Sequence, residues 1–331
     1  MKKYLPKYYL LLTAFISMFA SLPIFISAQQ LAQYSLVAEN KYAINSAVAG
    51  VSNNLDAFLT YRSQWVGLAG NPTTQQVNFS FPIGIIKSGV GFLFENENIG
   101  ASTGLRAQLG FNKIFTFGEN IFSLGVNGGF IQGALDGAQL RTPDGDYKGN
   151  VIDHKDNILN AASSQGSTVS VGVSAYFKNS AFEGGISASN INEPSVTLSG
   201  QNASKLSLKR HYNAFLGYEG FHFSDIILQP FISLRTDATE TQADLYIMAQ
   251  YLENIYLGVG FRGYNTNSKD ALIGIVGFKL NQQLNLFYGY DLTLSPLNAS
   301  SRGSHEIGLK YKLSKSFGKG KLPPIIFNPR I

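Results

Sequence analysis

The side chains able to do chemistry are few and scattered. Histidines stand at 154, 211, 222 and 305, and there is no cysteine, so thiolate metal sites and a disulfide framework are excluded. His154 sits with Asp153 and Asp156, the densest grouping of metal-ligating types. It lacks the HxH or HExxH spacing that sets two imidazoles on one ion. Pro143-Asp144-Gly145-Asp146 begins like a calcium loop but has neither the further spaced acids nor the closing Glu, and reads as a tight turn. A serine hydrolase using His211 or His305 would need a nucleophile elbow. No such elbow, phosphate loop or dinucleotide fingerprint stands in a strand-to-helix context. No catalytic, cofactor-binding or metal-ligating residue is assigned, and the chain reads as a non-enzyme.

A second set of charges runs through apolar surroundings: Arg62, Arg106, Lys209, Arg210, Arg235 and Arg262, with Glu219, Asp225, Asp244 and Asp291 as candidate partners. Two readings apply, a ladder selecting an anionic solute or internal pairing. The second is preferred, because a barrel of this size needs a filled or plugged lumen unless it is a channel. Either requires strands whose alternate residues point inward, since a charge on a lipid-facing wall costs about 2–4 kcal/mol at mid-bilayer.

The composition supports such strands. Charged residues make up 14% of the 331 residues and aromatic residues 13%, with 34 glycines, against about 25% charge in ordinary soluble proteins. Val169, Val171, Val173, Ala175 and Phe177 alternate with Ser170, Gly172, Ser174 and Tyr176. Leu284, Leu286, Tyr288, Tyr290 and Leu292 do so with Asn285, Phe287, Gly289 and Asp291, and Ile307, Leu309, Tyr311 and Leu313 with Glu306, Gly308, Lys310 and Lys312. An apolar face every second residue over about ten residues is the spacing of a membrane-spanning strand. The expectation is an all-β transmembrane antiparallel barrel with strands at 56–64, 74–82, 88–95, 102–116, 120–133, 167–178, 181–190, 209–220, 224–237, 239–252, 254–265, 269–280, 283–294 and 303–315.

Short connections (117–119, 179–180, 221–223, 253, 281–282) alternate with long ones (135–166, 191–208, 295–302), as periplasmic turns and extracellular loops do. This parity puts both termini in the periplasm. Residues 1–28 read as a cleaved secretory signal, with Lys2, Lys3 and Lys7 before an apolar run and Ser27-Ala28 before the cut. Residues 29–55 are polar and irregular, and read either as a plug or lid at the periplasmic mouth or as an unstructured lead-in. Residues 56–315 form the barrel. Residues 316–331 form a periplasmic tail whose Ile325-Ile326-Phe327 cluster either folds back on the barrel base or binds a partner. The net charge of +5 concentrates near this tail, and without a basic face carrying stacking aromatics it does not indicate nucleic acid.

One stretch stands apart, residues 59–82. It carries Tyr61, Arg62, Ser63, Gln64 and Trp65 (the one tryptophan), then Gly67, Gly70, Pro72 and Thr73. It reads as a strand, a shaped loop and a second strand, with Arg62 holding the loop beside Trp65 by a charge-assisted or cation–π contact, or with Trp65 as an interfacial girdle aromatic. This run resembles the PorP/SprF membrane proteins of the type IX secretion system of Bacteroidetes. Residues 45–50 are similar to that family's Asn-Pro-Ala-Tyr-Ala-Gly, without its Pro and Tyr, and Asn328-Pro329-Arg330 resembles its closing motif. The resemblance implies an outer-membrane accessory barrel that assists type IX export. It further implies, as partners, the C-terminal domain of a large secreted adhesin and periplasmic or outer-membrane components of the machinery. A channel for a small hydrophobic or anionic solute is the competing expectation.

Overall fold

Alternation of lipid-facing and lumen-facing residues closes one antiparallel sheet on itself in the computed structural model. It describes residues 32–148, 152–156, 162–199, 205–264 and 269–313. The expected signal at 1–28, the tail 316–331 and with it Asn328, Pro329 and Arg330 lie outside the described residues. The strands are β1 (Leu55–Ser63), β2 (Thr73–Ile83), β3 (Ser88–Ile99), β4 (Ser102–Phe117), β5 (Asn120–Asp136), β6 (Ser163–Lys178), β7 (Phe182–Ser189), β8 (Ser195–Thr197), β9 (Lys205–Ser207), β10 (His211–Tyr218), β11 (Phe221–Phe223), β12 (Ile226–Thr236), β13 (Thr241–Tyr251), β14 (Ile255–Gly263), β15 (Lys269–Lys279), β16 (Leu284–Thr293) and β17 (Ser304–Leu313). Fourteen of them form the wall. Each pairs with the next, β10 with β12, and β1 with β17 closes the ring, so no wall strand is left as a free edge.

All fourteen expected strands are present, with shifted ends. β3 continues to Ile99, β5 to Asp136, and β6 starts at Ser163. The expected loops at 191–208 and 221–223 are partly strand. β8 and β9 form a small hairpin that lies on the inner face of β6, where a Cβ on Gly166 would stand 2.0 Å from the Thr197 carbonyl oxygen. β11 pairs with the start of β12. β10 begins at His211, so Lys209 and Arg210 are exposed outside the wall, Arg210 facing Glu193 at 3.4 Å.

The outer face carries Leu59, Leu124, Val126, Val169, Leu257, Val259 and Ile307, all exposed. A large contiguous apolar surface of this kind is stable only against lipid. The inner face carries the polar residues, Thr60, Gln76, Asn78, Asn112, Ser123 and Ser174 among them, all buried. What buries them is the chain's own residues 32–54. This segment contains two short 3₁₀ turns, Lys41–Ala43 and Ser46–Val48. It runs down the lumen and enters β1 at the end where the short turns lie. Its upper part, at Ala32 to Leu36, is therefore near the long-loop end, so it spans the barrel and does not rest at one mouth.

Candidate functional site

The inner wall is shaped to the segment by glycine. A Cβ on Gly89 would lie 2.0 Å from the Ala49 carbonyl oxygen, on Gly91 2.4 Å from the Tyr42 ring, and on Gly125 2.8 Å from the Ala47 nitrogen. Likewise a Cβ on Gly185 would lie 2.6 Å from the Asn45 amide and on Gly308 2.7 Å from Leu36. Such distances are below any real contact, so this track accepts the segment only because side chains are absent there.

Polar bonds then fix it. At the long-loop end, Arg62 on β1 and Arg262 on β14 are 1% and 2% exposed. Arg62 Nη2 donates to Asp291 (2.7 Å) and Nη1 to Glu306 (3.0 Å) and to Ser35 Oγ (3.0 Å). Arg262 donates to Asp244 (3.0 Å), Asp291 (2.8 Å), the Tyr34 carbonyl (3.1 Å) and Ser35 Oγ (3.1 Å). Ser35 closes the circuit, its hydroxyl donating to Asp291 (2.6 Å) and its N–H to Glu306 (2.6 Å), while the Leu36 N–H also reaches Glu306 (3.2 Å). Arg235 adds a bond to the Ala32 carbonyl (2.9 Å). Ions this deep are stable only when their hydrogen-bonding groups are largely used. Here the segment supplies part of that satisfaction.

On the opposite side of the same level, Tyr34 donates to Glu95, which pairs with Arg106 (2.9 Å), and Gln76 donates to both the Tyr34 hydroxyl (2.9 Å) and Glu95 (2.8 Å). Glu39 pairs with Lys310 (2.8 Å) and Lys41 with Glu183. Burial pushes the Glu39 carboxyl up, but Lys310, helped by Lys41 and Lys312, outweighs it and holds the group below its ordinary value. Burial pushes the Lys41 ammonium down, and Glu183 with Glu39 reverses this, so that it lies above its ordinary value. Near the short-turn end Asn45 caps the second 3₁₀ turn through the Ala47 N–H (2.9 Å) and donates to the Ala175 and Ile186 carbonyls. Asn112 donates to the Ala47 (2.6 Å) and Ala49 (2.8 Å) carbonyls. Residues 45–50 are thus gripped by wall backbone and wall amides.

Of the motif residues, Arg62 is turned into the lumen and away from the expected contact with Trp65: its terminal nitrogens are taken by Ser35, Asp291 and Glu306. The physical reason is parity, because Arg62 is an inward position of β1 and Trp65 lies beyond the strand end. Trp65 has a left-handed φ of +52° and is held by its own N–H to Ser304 Oγ (3.1 Å). Tyr61 faces outward. Gln64 donates through its N–H to the Pro72 carbonyl (2.8 Å) and through its amide to Gln33 (3.4 Å). Gly67 and Gly70 have φ of +106° and +70°. Gly70 accepts from the Gly100 N–H (2.9 Å), and Val66 and Arg302 clasp 64–72 to the loop before β17. Thr73 starts β2, opposite Ser63. Of the expected acidic partners, Asp244 and Asp291 serve the arginines, whereas Glu219 pairs with Lys178. Glu306 and Glu95, both unanticipated, hold Arg62 and Arg106. Their inward parity on β17 and β3 was the signal available.

Two of the four histidines contact tyrosine hydroxyls. His154 Nδ1 contacts the Tyr147 hydroxyl (3.0 Å) and His305 Nδ1 the Tyr288 hydroxyl (2.7 Å) on the outer wall. The turn at 142–145 closes through the Gly145 N–H to the Thr142 carbonyl. Among the described residues, no three His, Asp or Glu side chains are grouped to hold a metal.

Comparison with solved structures returns outer-membrane barrels. The Acinetobacter baumannii outer membrane protein Omp33 is 9% identical, with a TM-score of 0.45 over 79% of this chain and 99% of that one. A Pseudomonas aeruginosa FadL homologue is 8% identical, with a TM-score of 0.43 over 79% and 89%. The CymD monoaromatic hydrocarbon channel is 10% identical, with a TM-score of 0.47 over 88% and 95%. No curated protein matches. Residues 26–311 match the family described as type IX secretion system membrane protein PorP/SprF. A barrel wall of fourteen strands, with this match along most of its length, means that the chain belongs to the PorP/SprF family of type IX secretion system membrane proteins.

Proposed function

We propose that this protein is a non-catalytic outer-membrane barrel that assists type IX export and holds the C-terminal domain of a large secreted adhesin at the cell surface. The observation that carries the reading is the occupied lumen. Residues 32–54 fill it, hydrogen-bonded through Tyr34, Ser35 and Leu36 to the buried ion cluster of the wall, paired through Glu39 and Lys41 with Lys310 and Glu183, and seated in a glycine track. A solute channel needs a continuous path, whereas a holding or docking barrel works closed. On this reading the short turns and the tail at 316–331 face the periplasm and contact the machinery, a signal at 1–28 is removed, and the long-loop end meets the adhesin. The clasped loop at 64–72, with Trp65 and its glycines, is part of that outer contact surface.

The test is deletion of the gene in its host, followed by protease shaving and mass spectrometry of surface proteins. Loss of one large adhesin with other exported proteins unchanged is the expected result. An unchanged surface with impaired uptake of a solute would overturn it. Purified protein in planar bilayers should stay electrically silent, and steady conductance would count against the closed lumen.

A further inference from the structure

Among the described residues the lipid-facing wall carries mostly large apolar side chains, and in one region several small outward positions gather. Where β6, β7, β10 and β12 adjoin, the outward positions Ala175, Gly184 and Ala214 are small and surround Ile186. A groove of about 360 Å³ opens there, rimmed by Phe122, Phe177, Leu216, Ile232 and Leu234, with no charged side chain in its lining. The register makes this one feature. Gly184 lies between Phe177 and Leu216 in one cross-strand row, and Ile186 between Ala175 and Ala214 in the next. One row nearer the short turns, Phe182 and Tyr218 are paired and in ring contact at 5.1 Å, and Phe221 touches Tyr218 at 4.8 Å. Aromatic clusters of this kind mark the level where hydrocarbon meets headgroup.

We propose that this groove is a binding site for one acyl chain of a bilayer lipid of the leaflet on the short-turn side. Its position selects the occupant. The groove begins one strand row inside the interfacial aromatics and points into the hydrocarbon, so what enters it is an extended apolar chain whose headgroup remains at the Phe182–Tyr218–Phe221 level. Within a bilayer no hydrophobic driving force separates lipid from wall. Retention comes from the dispersion contacts that a concave site makes and a convex wall does not. Ala175, Gly184, Ile186 and Ala214 point away from the lumen, so filling the groove from the lipid side tests it separately from the adhesin reading.

The full-length barrel, purified in mild detergent from its own membrane, would be examined by native mass spectrometry. The wild type should carry one phospholipid that survives delipidation. Ala175→Leu/Ala214→Leu, which fills the groove from the lipid side, should lose it. Val259→Leu on a different part of the outer wall should keep it. Folding of each variant is read from heat-modifiable gel mobility. A phospholipid with a photoactivatable acyl chain, used on the wild type alone, should label residues in β6, β7 and β10 around the groove. Equal lipid retention in wild type and filled variant, or labelling spread evenly around the barrel, would overturn the proposal. So would a wild-type dimer that the filled variant abolishes, since the occupant would then be a second copy of the chain.

Discussion

Replacing Arg62 with Met should loosen the lumen segment while the barrel stays closed. Met keeps the apolar stem and removes three charge-assisted bonds, to Asp291, Glu306 and Ser35. Breaking a buried pair by removing one partner costs ~3–5 kcal/mol. The lower end applies here, because Asp291 keeps Arg262 and Glu306 keeps the Ser35 and Leu36 N–H groups. About 3 kcal/mol corresponds to roughly a hundredfold in the opening equilibrium of the segment. The native chain has no cysteine, so Val37→Cys gives one label site at a position that is 3% exposed. When opening and closing are fast, maleimide labelling reports the open population. Labelling of Val37→Cys should therefore accelerate about a hundredfold when Arg62→Met is added. Adding Glu306→Gln as well removes the stranded charge and should recover much of the protection, as paired replacements do. A rise below about threefold, with the barrel still heat-modifiable, would refute the claim that the ion cluster holds the segment.

Three other outcomes follow from the same geometry. Glu39 is held below its ordinary value of 4.5 and Lys41 above its ordinary 10.5. The Glu39 contribution is therefore complete above pH 4.5 and lost as pH falls through the lower folded value. The Lys41 contribution is complete below pH 10.5 and lost as pH rises through the higher one. Segment protection should fall on acidification below pH 4.5, with Glu39→Gln removing the contribution of this carboxyl to the acid loss. Gly89→Ala should lower the unfolding midpoint through an overpacking cost of about 1–3 kcal/mol, whereas Gly274→Ala, which meets nothing within 4 Å, should change stability by less than about 0.5 kcal/mol. Trp65→Ala should reduce adhesin display measured by surface shaving while barrel yield is unchanged, and normal display would remove Trp65 from the contact surface.

The wall was legible because a lipid-facing strand has to alternate, and residues 169–177, 284–292 and 306–313 do so without interruption. Its ends were less so. Beyond the lipid band the outward positions become polar, as at Asn96 and Asn98 on β3 and Gln165 and Ser167 on β6, so the alternation fades while the ladder continues to Ile99 and back to Ser163. Lys209 and Arg210 were read as inward because strand pattern alone does not fix where β10 begins. The path of residues 32–54 carries no period at all. Its backbone bonds to side chains scattered over the ring, such as Asn112, Glu306 and Ser174, and no spacing within the segment encodes them. A trace was nonetheless present in the wall: Gly89, Gly91, Gly110, Gly125, Gly185 and Gly308 all fall on inward positions, where an empty lumen gives no reason to omit a side chain.

The buried charge bears on the competing reading of a fourteen-strand barrel as a solute channel. In a solute channel the inward arginines would stand in water with free donors, forming a ladder for anions. Here Arg62 and Arg262 each bridge two carboxylates and share one serine hydroxyl of the lumen segment, and neither presents more than 2% of its surface. Repelling or attracting a passing solute would require breaking that cluster first, at a cost of several kcal/mol per ion. The charges of Arg62 and Arg262 are therefore engaged within the barrel's own chain, and the surfaces left for recognition are the loop end, the turn end and the lipid-facing wall.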